Sequence, residues 1–494
     1  MKVILIILAI IVLLIAIVLI KAITLKPTAA KTAKVPVDNT ERAVKYGKQL
    51  AQMVQKETVS FRDQEDRTKF YEFHEILEEL FPNVHAVCEK HVFNGSLLFK
   101  WAAEEGSDVS GADGTGDAAG AGKSEPILLM SHQDVVEANG TWQHDPFSGH
   151  IDENGKVWGR GTVDTKASLF CIFTALEELI AEGIKPSCDV YIASSCTEEW
   201  SGEGAPMTVQ YLQDNGIKLG LVVDEGGMII EEPIGGVFGT YGMIGIVEKG
   251  YGDVKFKAKG SGGNASAPGK NTPLVRLGKF MAAIDKKSPF RTEMSPVMVE
   301  MFRRLAPNMN FGMKLLFANM WRFKGLIMKV VPMVSAAAGA MMKTTIAFTM
   351  AEGADGANVL PQEASVVANM RFIQHQPTQE SIDIITREAA KFDLETEVIY
   401  SEDPAPIIDF KGKQFKMIED VIHDVYPGIG ACPYIMTGGT DAKFYSPVCD
   451  NCIRFAPLYI DGQQYESIHG LDENIYQGTL PMGVDFYKEV IKRS

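Results

Sequence analysis

Three short apolar runs, each ending in an acid or a histidine, constrain this chain more than any other feature. They read "PILLMSH", "CDVYIASSCTEE" and "GLVVDEGG", and the amphipathic stretch "TKASLFCIFTALEELIAEGI" lies between the first two. Runs of this length without polar alternation read as strands buried on both faces. Strands that alternate with helices give an α/β sandwich with a largely parallel central sheet. The polar residues fall where the strands end, and open α/β sheets build their sites at that edge.

From about Val247 the pattern changes. "YGDVKFKAKGSG" alternates with period two, "TPLVRLGKFMAAI" is helical, and "TTIAFTMAEG", "EASVVANMRFI" and "ETEVIYS" read as further strands. This is expected to be a separate α+β unit, ferredoxin-like, over 247–403. It divides the main domain into 39–246 and 404–494. Inside it, 296–342 is Met-rich, aromatic and basic, and helical by pattern. It is either a packed helical excursion or an adaptable apolar surface for greasy substrates or a membrane face, because methionine repacks easily. A Gly/Ala/Asp-rich segment at 103–125 cannot pack a core and reads as a surface insertion.

The N-terminus is an unbroken apolar run from Val3 to Ile20, flanked by Lys2 and Lys21. A membrane span needs about 17–25 such residues, whereas the apolar part of a cleaved signal has about 7–15. Residues 1–25 are therefore expected to anchor the protein as one transmembrane helix. Lys21, Lys26, Lys31 and Lys34 follow the run and favour a cytoplasmic body, whereas anchored hydrolases more often face outward, so the side stays open. The net charge of -15 argues against a nucleic-acid partner. Seven cysteines make no disulfide framework, and the lone "CDNC" of Cys449 and Cys452 is either a redox or zinc pair or, as a single unmatched motif more often is, a pair of buried or incidental thiols. Sequons at Asn94, Asn139 and Asn264 matter only in a secretory compartment.

Five separated elements offer metal-type ligands: His132 and Asp134, Asp164, Glu198 and Glu199, Asp224 and Glu225, and His469. Singly, a strand-end acid is usually a helix cap or a solvated loop group. Together, so many acids packed without a cation would repel and raise one another's pKa values. Mixed imidazole and carboxylate ligation suits zinc, and a bridging carboxylate suits a two-metal hydrolytic site. The pair Glu198 and Glu199 offers one acid for metal and one for water. Asp134, two residues from His132, can fix its tautomer.

The order H-x-D, G-R-G-x-x-D-x-K, E-E, D-E-G-G and a late I-H-G resembles the dizinc aminoacylase/carboxypeptidase family of metallopeptidases. The apolar N-terminus and "MTGGTDAKFY" ahead of "SIHGLDENI" resemble its carboxypeptidase S and N-fatty-acyl-amino-acid hydrolase branch. The resemblance implies two zinc ions, with one on His132, one on His469 and Asp164 bridging them. It makes Glu199 a ligand, Glu198 the general base and Asp134 the residue that orients His132. The last ligand is Glu225 or Asp224. The inserted unit becomes a lid or dimerisation domain, with a homodimer as its consequence. Asn358 and Arg371 become contacts for a substrate carboxylate, and Gly438, Gly439 and Thr440 place backbone amides near the substrate.

Two positions depart from the family pattern. Asn264 stands in "GGNASAP" where a histidine is usual, and Lys443 stands where an arginine is common. Asparagine can donate to an oxyanion but carries no charge. The implied activity is hydrolysis of an amide next to a free amino-acid carboxylate, as a carboxypeptidase or dipeptidase. The alternative substrate is an N-acyl amino acid. A catalytically silent binding protein is the rival that Asn264 favours and the intact Glu198 opposes. A phosphate loop is excluded, because Lys270 is followed by Asn271.

Overall fold

The structure is a computed structural model that describes residues 2–31, 35, 39–104 and 124–494. Lys34 and most of the low-complexity insertion lie outside the described residues. The central sheet grows from the apolar runs. Ile127–Met130 lies between Val190–Ser194 and Leu221–Asp224, parallel to both, and every residue of the three strands is buried. Cys452–Arg454 continues the parallel set beside Leu221–Asp224. Thr240–Glu248 then turns antiparallel to it and pairs in parallel with Gly430–Met436.

At the other edge, Ser96–Trp101 and Glu89–Phe93 form a hairpin antiparallel to Val190–Ser194. Its turn is Asn94–Gly95, with φ of 47° and 91°. An Asn-Gly pair adopts that mirror-image turn at least cost, and its twist matches the strands. Helix Ala167–Ala181 is buried from Ala167 to Leu176 and packs on the C-terminal helix Leu480–Arg493.

A second, four-stranded antiparallel sheet runs in the order Thr345–Glu352, Glu363–Phe372, Gly250–Lys259, Glu395–Glu402. In Gly250–Lys259, buried Val254, Phe256 and Ala258 alternate with more exposed residues, the period of a half-covered strand. Helices Pro273–Lys286 and Thr378–Ala390 supply Leu277, Phe280 and Ile385 to its core. Strand and helix order together make this a βαββαβ, ferredoxin-like arrangement.

The Met-rich stretch leaves this sheet and joins the other core. Met298, Met301, Phe302 and Leu305 of helix Pro296–Leu305 pack with the central-sheet residues, and the helix lies against Gly430–Met436. Helices Phe311–Ala318 and Met320–Val334 follow. The N-terminal apolar run is one helix, Lys2–Thr24, whose part from Ile4 onward is long and apolar enough to cross a membrane. All seven cysteines are buried as free thiols.

Candidate metal centre

Three adjacent parallel strands deliver three of the ligand groups. His132 lies two residues beyond Met130, Glu198 and Glu199 follow Ser194, and Glu225 follows Asp224. Parallel neighbours in register bring their carboxyl ends to one edge, so residues far apart in sequence converge there. Asp164 comes from the loop before helix Ala167–Ala181, and His469 from the loop after helix Gly462–Ser467.

Asp164 links the two imidazoles. Its Oδ1 lies 3.0 Å from Nε2 of His132, and its Oδ2 lies 3.1 Å from Nε2 of His469. Glu199 Oε2 is also 3.1 Å from His469 Nε2. His132, Asp164 and Glu199 form a compact ligand group. Nδ1 of His132 donates to the Asp134 backbone carbonyl at 2.8 Å, because a carbonyl can only accept. That bond fixes the tautomer and leaves Nε2 as the ligating nitrogen.

Asp134 works chiefly on the backbone. Its carboxylate stands 3.5 Å from His132 Nδ1, farther than its own carbonyl. It accepts from Ser60 Oγ at 2.6 Å and from the N–H groups of Glu198 and Glu199 at 3.2 Å each. It thereby holds both glutamates in place. Asp224 is likewise occupied, accepting from the N–H of Glu225 and of Ala442 at 2.8 Å each. Of the two acids in "DEGG", Glu225 is the one whose carboxylate is not committed to a backbone amide among the described residues. The glycines of that motif have a steric reason. A Cβ on Gly227 would stand 2.1 Å from the Met243 carbonyl, and Gly226 has a φ of 115°.

The electrostatics are those of a site built for cations. Burial, then repulsion from Asp164, pushes Glu199 up to about 7. Burial does the same to Glu198 and Glu225, which rise well above the carboxylate range. Burial opposes ionisation of Asp164 too, but the hydrogen bonds from His132 and His469 outweigh it and hold that carboxyl well down. So many buried acids require protons or cations, and two imidazoles among them suit a divalent metal. The donor set fits a divalent metal: His132, Asp164 and Glu199 could hold an ion, with His469 Nε2 3.1 Å from both of those carboxylates. A cleft of about 580 Å³ opens beside the centre, lined by Glu199, His469, Trp200, Arg62 and Asn139.

The framework of the centre includes buried charges whose pairing carries no motif signal in the sequence. Glu473, fully buried, accepts from the N–H groups of Gly161, Val163 and Asp164 and from Arg160 Nη1. Arg160 also donates to the Gly470 carbonyl at 2.7 Å, beside His469. One ion pair therefore ties the Asp164 loop to the His469 loop. Lys166 donates to the carbonyls of Met53 and Lys56, which pins the other side of the Asp164 loop.

The expected substrate contacts are distributed differently. Arg371 lies in the second sheet, stacked over Tyr251 at 4.7 Å and donating to Asn369 at 3.2 Å. Asn264 and Asn358, nearly a hundred residues apart, meet on an exposed two-stranded ribbon, where the Ala265 N–H donates to the Asn358 carbonyl. Neither asparagine contacts the carboxylate–imidazole cluster among the described residues. Gly438 and Gly439 are exposed, whereas Thr440 is buried and donates through N–H and hydroxyl to Glu248. Glu248 is itself paired with buried Arg454. Lys443 is taken up by Glu402 and Ser201 at 3.1 Å each.

The sequence profile of Peptidase family M20/M25/M40 matches residues 128–493, which include every candidate ligand named above. The chain belongs to that family. Among M20 relatives, it is 29% identical over 468 residues to probable carboxypeptidase S-like 2 of Dictyostelium discoideum, covering 91% of this chain and 85% of that one. It is 30% identical over 466 residues to the N-fatty-acyl-amino acid synthase/hydrolase PM20D1 of Xenopus tropicalis, covering 92% and 88%. The M20 fold recurs in human carnosine dipeptidase 1, with a TM-score of 0.65 at 12% identity over 91% of this chain and 96% of that one. It recurs also in the metallo-carboxypeptidase Sso-CP2 of Sulfolobus solfataricus, with a TM-score of 0.62 at 15% identity, covering 92% and 99%.

Proposed function

We propose that this M20 metallopeptidase uses two zinc ions to hydrolyse an amide bond next to a free amino-acid carboxylate, acting as a carboxypeptidase or dipeptidase. The observation that carries the reading is the Asp164 carboxylate shared between two imidazoles, with Glu198 beside it. Zinc held by these residues would supply Lewis acidity to the amide carbonyl and lower the pKa of water. Glu198, with its carboxylate 3.9 Å from His132 Nε2, is assigned as the general base that takes a proton from the attacking water and returns it to the leaving nitrogen. Asp134 accepts from the Glu198 N–H and so holds this residue beside His132. Arg371 is assigned to the substrate carboxylate, because a guanidinium fork matches it in geometry and charge.

N-acyl amino acids are the second substrate class. The PM20D1 relative and the apolar helices at 311–334 favour it. Helix Lys2–Thr24 is assigned as a membrane anchor on its length and composition. The test is metal content and hydrolysis of wild type and Glu198→Gln against dipeptides and long-chain N-acyl amino acids. About two zinc ions per chain are expected in both proteins, with the variant slower by about 10²–10⁴-fold. Wild type that is loaded with metal yet inert on both panels would sink the reading.

A further inference from the structure

The apolar N-terminal helix is not a loose tether. Thr28 and Ala29 donate backbone N–H groups to Asn308 Oδ1, and Asn308 Nδ2 returns a bond to the Ala29 carbonyl at 2.8 Å. Lys314 donates to the Leu25 carbonyl, and Thr28 Oγ1 to the Arg304 carbonyl. Higher on the helix, buried Asn319 donates to the Val18 carbonyl at 3.0 Å. Val18 lies three residues before Lys21, the first charge after the apolar run, and six before the helix end at Thr24. At 1.5 Å per residue, Asn319 meets the helix about 4.5 Å deeper in the run than Lys21 and about 9 Å from its end.

Asn319 is the joint between helices Phe311–Ala318 and Met320–Val334. Ile327 and Val331 are buried against the body, while Trp321, Leu326 and Met333 are 59%, 48% and 83% exposed. Arg322, Lys324 and Lys329 are also exposed. No aspartate or glutamate occurs between Glu300 and Glu352, in a chain that carries 63 of them. Exposed apolar side chains with lysine and arginine at their margins describe a helix lying in the headgroup region of a bilayer. Anionic headgroups would complement its charge, and long basic side chains reach them while their stems stay apolar.

The geometry points to helix Met320–Val334 as a second membrane contact, seated in the same leaflet that Lys2–Thr24 enters, so that the body rests on the bilayer in one fixed orientation. The inference rests on reading Lys2–Thr24 as a membrane span. The occupant of the exposed face is the lipid surface itself.

The test uses the full chain in phosphatidylcholine vesicles containing phosphatidylserine. Because the native cysteines are buried, single thiols introduced at exposed sites can be labelled selectively with a polarity-sensitive dye. The variants are Leu326→Cys, Met333→Cys, Ile10→Cys in the apolar run, and Glu363→Cys at the far end of the second sheet. The expected result is blue-shifted emission and quenching by nitroxide-labelled lipids at 326 and 333, of the same order as at 10, with none at 363. Quenching at 10 with aqueous emission at 326 and 333 would overturn the surface and leave the span standing. Absence of quenching at 10 as well would remove both. A blue shift at 326 and 333 without lipid quenching would mean that a second copy of the chain covers the face, and would also overturn the proposal.

Discussion

Glu473 accepts four hydrogen bonds, three of them from the loop that carries Asp164, and it is the acid to which Arg160 is committed. Glu473→Ala strands a buried guanidinium, and breaking such a pair costs about 3–5 kcal/mol. Urea unfolding should read that loss. Glu473→Gln keeps the shape, and as a positioning change it is expected to weaken zinc affinity about 10–100-fold while the protein stays folded. The candidate ligand cluster of His132, Asp164 and Glu199 was legible from spacing and residue type. Glu473 was not, although it stands four residues from His469, because its meaning depends on Arg160, 313 residues away.

Without cations, Glu199 is raised from its ordinary 4.5 to about 7, chiefly by burial. A carboxyl raised in the fold stabilises it fully below the unfolded value, and that contribution is lost as pH rises through the folded one. His469 is raised to about 10 by hydrogen bonds to Asp164 and Glu199, and acts in the same sense above its ordinary 6.5. Chelated protein should therefore lose stability between about pH 5 and about pH 8, and zinc should restore more of it at the higher pH. The measurement is melting temperature with and without zinc across that range. A constant difference would mean that these groups are not the metal's ligands.

At the scale of elements, the carboxyl ends of three parallel strands make the centre, and close packing behind them fixes where the ends point. Gly227 lies where strand Thr240–Glu248 and the Arg454 carbonyl come closest. Gly227→Ala forces a Cβ onto backbone that cannot rotate away, and overpacking of this kind costs about 1–3 kcal/mol. The strand end carrying Glu225 should shift with it, so zinc content is expected to fall along with stability. Normal zinc occupancy in a destabilised variant would separate the packing role from the ligand role. The parallel strands and the period-two strands were both legible, because burial on two faces or one writes itself into the apolar pattern. The packing partner of 296–342 was not. Pattern shows that a helix has an apolar face, and only the fold shows that Met298 and Phe302 spend it on the central sheet while Trp321 and Met333 leave theirs outside.

At the scale of the whole molecule, the ribbon bearing Asn264 and Asn358 stands apart from the metal cluster of its own chain. The family resemblance implies a homodimer, and we propose that in it each ribbon would complete the partner's site, with the Asn264 amide donating to the carbonyl oxygen as charge develops on it. This arrangement makes a quantitative prediction by complementation. Asn264→Ala alone should lose activity, since every site lacks its donor, and Glu198→Ala alone should lose it for want of a base. When the two variants are unfolded together and refolded, half of the dimers are mixed. In a mixed dimer, the chain with intact Glu198 receives an intact Asn264 from its partner, and the other site has neither. Activity should then recover to about one quarter of wild type, the share set by random pairing of a two-fold dimer. No recovery, with mixed dimers verified by tag capture, would mean that Asn264 serves its own chain or does not serve catalysis. The departure from histidine makes the outcome informative, because an uncharged donor can act across the interface only if the geometry holds it there.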